Sequence, residues 1–540
     1  MNNIFFKKNK LVILHVTLLL FIPFIVYFNF RWNPIVFDDL YFFDGVEHSQ
    51  FFKIFDLSIR WLPYATFEWT KALFGSDVIW LHFGNNLIHA ANGIFLYFLL
   101  NYLFSICIKE NSIALSLRNT AFFAAFLFML HPASVYSVNY ISQRSMLMAT
   151  FFAIAMMFYF VESIHTKNKN LLFFAVFLYG MSVLCKEHAI MLPALAFFAA
   201  FLLVKDIKQI FKYCWPYFLL CIFIAIYVVI QIKSINLYGN PYESGASELL
   251  SRLQLIDPSF SIKQAYFYSV YTQMGLFFKY LLLWIIPSSM WMSIDMYETF
   301  ATRVLLFPQL VGAISFLVYP IFSVWLIKKN DLFALLGFAL ICPWLLFLTE
   351  ITTVRIQESF VIYRSYIWMV FFTCALPFLI QKISSKKAIG LLCIISIMMV
   401  PLTLQRLISF SHPLLLWDDA ARLVEGKENR PGVERVYHNR GLAYLQQKQY
   451  KLAIEDFNKA LEIWPQYNFV YNDRGAAYLE LQDYQQAIND FNQSILLKPN
   501  YFRPYLGRAH IFELMGQQDQ AKQNYAIACN MGLAEACAKR

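Results

Sequence analysis

Apolar runs follow one another from residue 11 to residue 408, broken by short polar and basic segments. Runs of membrane-crossing character lie near 11–30, 86–107, 171–185, 189–204, 213–233, 304–327, 332–349, 363–382 and 387–408, and two more, 120–131 and 146–163, flank a polar segment. A crossing helix takes ~20 apolar residues, ~17 at the least, so the shorter runs predict tilted or protein-covered helices. The pattern predicts about eleven spans. Residues 265–287 are also apolar enough to cross, but a crossing there would move Lys328-Lys329 away from the side of the other basic clusters. That segment is therefore expected to be re-entrant or to lie against the bundle. Beyond residue 411 the apolar runs stop and Gln, Asn, Asp, Glu and Arg take over, which divides the chain into a membrane part, 1–410, and a soluble part, 411–540.

The soluble part repeats itself. Aligned as 434–467, 468–501 and 502–535, it has a period of 34 residues. Asn439-Arg440-Gly441 recurs as Asp473-Arg474-Gly475 and Gly507-Arg508-Ala509, and Tyr444, Tyr478 and Phe512 share a position, as do Ala453, Ala487 and Ala521, and Phe457, Phe491 and Tyr525. Small residues where paired helices touch, with large aromatics between them, are what stacked helical hairpins require. The pattern resembles the tetratricopeptide repeat. Three units behind a leading helix near Leu414–Leu423 predict a short α-solenoid whose concave face binds an acceptor protein or a partner subunit. Past the third unit, a turn at Gly532 would bring Cys529 and Cys537 within reach of a disulfide; two buried thiols packing the terminal cap are the other reading.

Of 540 residues, 59% are hydrophobic and only 14% charged, whereas soluble domains carry about 25% charged residues. A single soluble core is excluded, and so is intrinsic disorder. The aromatic share of 19% suits membrane interfaces. The net charge of +10 comes from basic clusters at 7–10, 109–118, 167–169, 205–212, 328–329 and 382–387. They alternate with the apolar runs as cytoplasmic loops do, so the charge reads as topology and not as nucleic-acid binding. It places the N-terminus in the cytoplasm and the repeats on the extracytoplasmic side. Leu11–Phe30 is long for a signal peptide and reads as the first span. Seven of the nine Cys lie in or beside apolar runs, and no Cys/His spacing suggests zinc. A Gly count of 18 amid abundant Lys, Asn, Phe and Ile points to an AT-rich bacterial genome, hence a bacterial inner membrane.

The polar residues hardest to explain fall on the extracytoplasmic face. Asp38 and Asp39 follow the first span, and adjacent carboxylates at a membrane surface are costly unless they serve a proton, a metal or a substrate hydroxyl. Arg60 comes next, then His82, Asn86 and His89 at i, i+4 and i+7 on one helix face, a spacing that reads as a hydrogen-bonded core stripe better than as a metal site. His131-Pro132 leads to Asn139 and Arg144, and Lys186-Glu187 sits between two apolar runs. The Lys-Glu pair is either a structural salt bridge or an anion contact steadied by the Glu.

An acidic pair after the first span, His-Pro with a later Ile-x-x-Arg, and Lys-Glu between two spans resemble the GT-C superfamily of polyprenyl-phosphate-sugar glycosyltransferases. The likeness is to the transmembrane and tetratricopeptide-repeat O-mannosyltransferases and their bacterial relatives; Pro287 to Asp295 and Arg364-Ser365-Tyr366 also match segments of that group. The resemblance implies an all-α fold, a polytopic membrane helical bundle of GT-C type followed by the repeat solenoid. It also implies an inverting transfer of sugar from a polyprenyl-phosphate-linked donor to an acceptor protein, such as a pilin, or to a glycan. Asp38 would be the general base, and Asp39 would orient the acceptor or, in some members, a divalent metal such as Mg or Mn. The donor phosphate would meet Arg144, Lys186, Arg355 and Arg364, with Glu187 beside Lys186; Arg60, His82, Asn86, His89, His131, Asp295 and Tyr366 would support the pocket. Two positions depart from the family pattern: Tyr136 after His-Pro and Ile362 before Arg364, where the family often carries Glu. Two other classes compete: an O-antigen ligase or polymerase, which needs no acidic pair in the first loop, and a non-enzymatic membrane scaffold whose repeats recruit partners.

Overall fold

The computed structural model describes residues 10–36, 39, 57–108, 113, 115–234, 246–329, 331–427 and 430–540. Its regular elements are helices, with no strand among the described residues. The chain forms two compact units: Met1–Met292 with Glu298–His412, and Pro413–Arg540 with the short segment Ser293–Tyr297.

The first unit is built from α1 (Lys10–Phe28), α2 (Trp61–Phe74), α3 (Val78–Cys107), α4 (Leu117–Met129), α5 (Arg144–Thr166), α6 (Lys169–Cys185), α7 (Leu192–Val204), α8 (Ile207–Ser234), α9 (Ala246–Ile256), α10 (Ala265–Ile285), α11 (Gln309–Lys328), α12 (Asp331–Phe347) and α13 (Ser385–Ser409). Eight helical stretches are long and apolar enough to cross a membrane, two more do so as bent pairs, and α6 is a shorter apolar helix. Each of the eleven predicted runs therefore falls on a helix. The bends, 51° between Leu117–Met129 and Pro132–Val138 and 47° between Ile362–Met369 and Phe371–Ile380, lie at polar or aromatic breaks. At the first of them Pro132 has no N–H to continue the helix, and His131 Nδ1 accepts the Ala133 N–H at 3.1 Å to start the next turn.

Residues 265–285 form one unbroken helix of 21 residues, not a re-entrant hairpin. Its buried stripe, including Tyr268, Tyr271, Thr272, Leu276 and Tyr280, packs on neighbouring elements that include α11. The two helices come close enough that a Cβ on Gly312 would lie 2.6 Å from the Gly275 Cα. Helices α11 and α12 approach as tightly: a Cβ on Gly337 would meet the Ile327 nitrogen at 2.6 Å. Lys205 donates to the backbone carbonyls of Ile327 and Lys329. The basic turns after α7 and after α11 thus meet at one end of the bundle, where the charge pattern groups them.

The second unit begins with α14 (Pro413–Val424) and continues as three antiparallel pairs, α15 (Glu434–Gln446) with α16 (Tyr450–Ile463), α17 (Asn468–Glu480) with α18 (Tyr484–Leu497), and α19 (Arg503–Leu514) with α20 (Gln518–Asn530). The repeated Ala453, Ala487 and Ala521 and the repeated aromatics Phe457, Phe491 and Tyr525 are all buried. Only glycine fits opposite the first aromatic, since a Cβ on Gly441 would sit 2.6 Å from the Phe457 ring. The repeated arginine laces the hairpins together. Arg440 grips Asp456 through Nε and Nη2 at 2.7 and 2.8 Å, Arg474 grips Asp490 at 2.8 and 2.7 Å, and Arg508 grips Asn524 at 2.9 and 2.6 Å. Hydrogen bonding to Asp456 holds the Arg440 guanidinium above its ordinary range, whereas burial pulls that of Arg508 below it. Gly532 takes a left-handed φ of 98°, and across that turn Cys529 and Cys537 are joined as a disulfide with Cα atoms 4.8 Å apart.

Phe491 fills the space between the second and third hairpins, its ring facing both Gly475 and Gly507. In a stack where each repeat touches only its neighbours, one broken interface frees everything beyond it. Phe491→Ala is expected to cost about 3–5 kcal/mol. Hydrogen exchange should accelerate in α17 to α20 and stay unchanged in α15; uniform acceleration across the unit would contradict nearest-neighbour stacking.

Candidate functional site

The turn between α6 and α7 is the first contributor. Arg60, just before α2, adopts a left-handed φ of 67°, which costs a non-glycine residue roughly 1–2 kcal/mol. The conformation is held from both ends. The Arg60 N–H donates to the Leu184 carbonyl at 2.6 Å, and its guanidinium takes Glu187 bidentately at 2.5 and 3.1 Å. From Glu187 the chain of charges continues. His188 Nδ1 lies 3.5 Å from Glu187, and His188 Nε2 donates to Glu350 Oε1 at 2.7 Å. Glu350 Oε2 accepts from Arg364 Nη1 at 3.0 Å and has Arg355 Nε at 3.6 Å. Arg364 Nη2 then donates to Glu358 at 3.2 Å.

Four of the residues expected at the donor phosphate, Lys186, Arg355 and Arg364 with their neighbour Glu187, are thus drawn into one buried network, and Arg60 joins them. Among the described residues it holds four cations, Arg60, Lys186, Arg355 and Arg364, against three carboxylates, Glu187, Glu350 and Glu358. The cation left over is Lys186. It is 6% exposed and lies in electrostatic reach of Arg60, Glu187, Arg364 and Glu350, and its ammonium makes no hydrogen bond or ion pair among the described residues. Desolvating a charge without pairing it is strongly unfavourable. The sequence offers the Lys-Glu pair as a salt bridge or an anion contact; in the structure Glu187 pairs with Arg60, and Lys186 stands apart.

Other expected residues take structural positions. Arg144, 2% exposed, donates to Asn85 at 2.8 Å, to the Leu81 carbonyl at 2.8 Å and to Thr66 and Thr70 at 3.3 and 3.4 Å. Its guanidinium lies over the Phe67 ring. These bonds tie it to α2 and α3. Asp39 accepts the Ile141 and Ser142 N–H groups, each at 2.8 Å; it caps the free amides that lead into α5, as an acid at a helix start does. Both its oxygens are thereby engaged, and no group of three or more His, Cys, Asp and Glu among the described residues could hold a metal. Asp38 lies outside the described residues.

The His82 stripe is a core stripe. His82 Nε2 bonds the Asn33 carbonyl at 3.0 Å, and His89 bonds the Tyr366 hydroxyl at 2.6 Å and the Met129 carbonyl at 3.1 Å. Asn86 is buried beside them, and its neighbours Asn85 and Asn92 bond across the bundle, Asn92 to Tyr366 at 3.2 Å. His131 stacks on Trp284 with ring centroids 4.3 Å apart. Asp295 belongs to the repeat-containing unit, where Arg435 holds it bidentately at 2.7 and 2.8 Å. The sequence reading missed Glu350, His188 and Glu358. Glu350 carried a signal, since it is the first acid after the long apolar run 332–349 and an acid at such depth needs partners.

The comparisons with known proteins concern the second unit. The tetratricopeptide repeat family model matches residues 434–467 and 469–501. Two crystal structures of MamA are similar to part of the chain. One is 19% identical, with 29% of this chain and 98% of that chain covered and a TM-score of 0.22. The other is 18% identical, with 27% and 81% covered and a TM-score of 0.21. No curated protein matches the chain. The C-terminal unit carries tetratricopeptide repeats, modules that generally bind partner proteins.

Proposed function

We propose that the protein is a membrane glycosyltransferase of GT-C character, which moves a sugar from a polyprenyl-phosphate donor to an acceptor recruited by its repeats. The observation that carries this reading is the surplus buried cation. Lys186 lies among held charges with no partner of its own among the described residues, and a lipid-linked phosphate is an anion that could enter sideways from the bilayer and neutralise it. Arg60, Arg355 and Arg364 are kept in place by Glu187, Glu350 and Glu358, so the field around that phosphate is preorganised. In the transfer, the acceptor hydroxyl loses its proton to the Asp38 carboxylate as its oxygen bonds to the sugar's anomeric carbon. The bond from that carbon to the phosphate oxygen breaks, and the polyprenyl phosphate leaves with the electron pair, paired to Lys186. One displacement inverts the anomeric centre. The repeats then serve as the acceptor's docking module.

A scaffold reading is favoured by the repeats alone, whose ordinary work is to hold partner proteins. It gives Lys186 nothing to do.

Lys186→Met separates the two. Removing an unpaired buried charge should stabilise the purified protein by about 1 kcal/mol, while binding of undecaprenyl phosphate, read as ligand-dependent thermal stabilisation, should vanish. A destabilised variant that still responds to undecaprenyl phosphate would make Lys186 structural and remove the basis of the proposal. Asp38→Asn should leave that response intact and lower transfer by about a hundred- to ten-thousand-fold, scored by mass spectrometry of envelope proteins for a lost sugar mass.

The proposed placement puts the repeats on the extracytoplasmic side. The basic turns gathered around Lys205 support it, as does the Cys529–Cys537 disulfide, a bond that persists in oxidising compartments. A phosphatase fused after Arg540 should be active outside the cell, and one fused after Lys329 should not; the reverse pattern would invert the topology.

A further inference from the structure

The segment between α8 and α11 carries large apolar side chains that the protein leaves uncovered. Leu255 at the end of α9 is 82% exposed, and Ile256 beside it is also bare. Nearly fifty residues later Leu305 is 81% and Phe307 70% exposed, directly before α11 begins at Gln309. The two tips are pinned to one another. Asp257, the residue after Ile256, accepts from Arg303 Nε at 2.7 Å and from the Thr302 hydroxyl at 2.9 Å. Behind them the loops have their own core, in which Leu249, Leu250, Phe260, Tyr268 and Phe300 pack with Val354 and Ile356. The tips are therefore not loose ends: a packed platform and an ion pair present them side by side.

We infer that Leu255-Ile256 and Leu305-Phe307 form a paired apolar wedge that enters the lipid leaflet at the start of α11. The depth follows from continuity. Phe307 is two residues before a helix long and apolar enough to cross a membrane, so its tip lies at the boundary between headgroups and acyl chains. The Asp257–Arg303 pair brings Leu255-Ile256 to the same level, although α9 itself is too short and too polar to cross. Exposed Arg303, bonded to Asp257 at the tips, suits lipid headgroups, as basic residues around an apolar edge do on interfacial helices. Because Val354 and Ile356 flank Arg355, the platform that seats the wedge also seats one cation of the buried network, so lipid at the wedge lies next to the proposed donor site. The inference rests on α11 crossing the membrane and not on the transferase reading.

The test places photoreactive p-benzoylphenylalanine at residue 255, 305 or 321 of the full chain in native membranes, with mass spectrometry of the crosslinked peptides. Ile321, 69% exposed on α11, reports whether that helix faces lipid at all. Phospholipid adducts at all three sites are expected. Adducts at 321 with none at 255, or a protein adduct at 255, would overturn the wedge; no lipid adduct at 321 would overturn the crossing itself. In an Arg303→Ala background the adduct at 255 should be lost while those at 305 and 321 persist. Its survival at 255 would refute the ion pair as the device that sets depth.

Discussion

The first unit depends on one buried carboxylate. Glu350 is fully enclosed, and an ionised acid in such a place costs several kcal/mol unless it is compensated. Its compensation comes from three directions: His188 at the start of the segment leading into α7, Arg364 at the start of the last bent pair, and Arg355 between them. Segments that are 162 residues apart in the chain are thereby fixed against one another. The acid cannot leave its partners, and they cannot leave the acid, because either separation strands a charge in a low-dielectric surrounding. Through Glu187 the same constraint reaches Arg60 and holds its left-handed backbone. A network of this kind adds little net stability over an apolar core of equal volume; what it supplies is a definite arrangement of positive groups.

Among the described residues that arrangement holds four cations against three carboxylates. Were the network purely structural, nothing would prevent Lys186 from being Met or Leu, both of which would pack at that burial without the charge. A retained, unpaired ammonium is a local rule broken, and rules are broken chiefly where a ligand restores the balance. The contrast with Arg144 sharpens the point. Arg144 is just as buried and also lacks a carboxylate, but neutral oxygens of Asn85, Leu81, Thr66 and Thr70 satisfy it and an aromatic face covers it. The protein plainly has the means to settle a buried cation with its own groups, and it has not used them at Lys186.

The helices were legible because periodicity and length are local properties. All eleven apolar runs are helical, the 34-residue period placed every repeat helix, and the turn at Gly532 was readable from its glycine. The site was legible only by residue type. Lys186, Glu187, Arg355 and Arg364 stood out as charges next to apolar runs, but who pairs with whom is decided by packing between distant helices. Glu187 therefore turned out to hold Arg60 and not its neighbour Lys186. Arg144 and Asp39 show the same limit: a polar residue that caps or stitches helices looks in the sequence like one awaiting a ligand. Asp295 shows the limit most clearly, since its partner Arg435 is 140 residues further on and nothing near Asp295 announces it. Residues 265–285 were expected to be re-entrant or to lie against the bundle because of a charge-side argument, which could not choose between the two; the unbroken helix with a buried stripe fits the second.

The repeats show how a partner-binding module can be held together without a large core. Each hairpin buries one small residue and one aromatic, and the arginine of each unit adds the cross-links. The rungs are not equal. Arg440 has carboxylates on both sides, Asp456 and Asp418; Arg474 has one, Asp490, with Asn458 opposite; Arg508 has only the amide oxygens of Asn524 and Asn492. Positive charge is thus progressively less compensated from the first hairpin to the third. Guanidinium groups that are only partly enclosed interact modestly with their partners, so this gradient does little to stability, and the aromatic packing carries the stack.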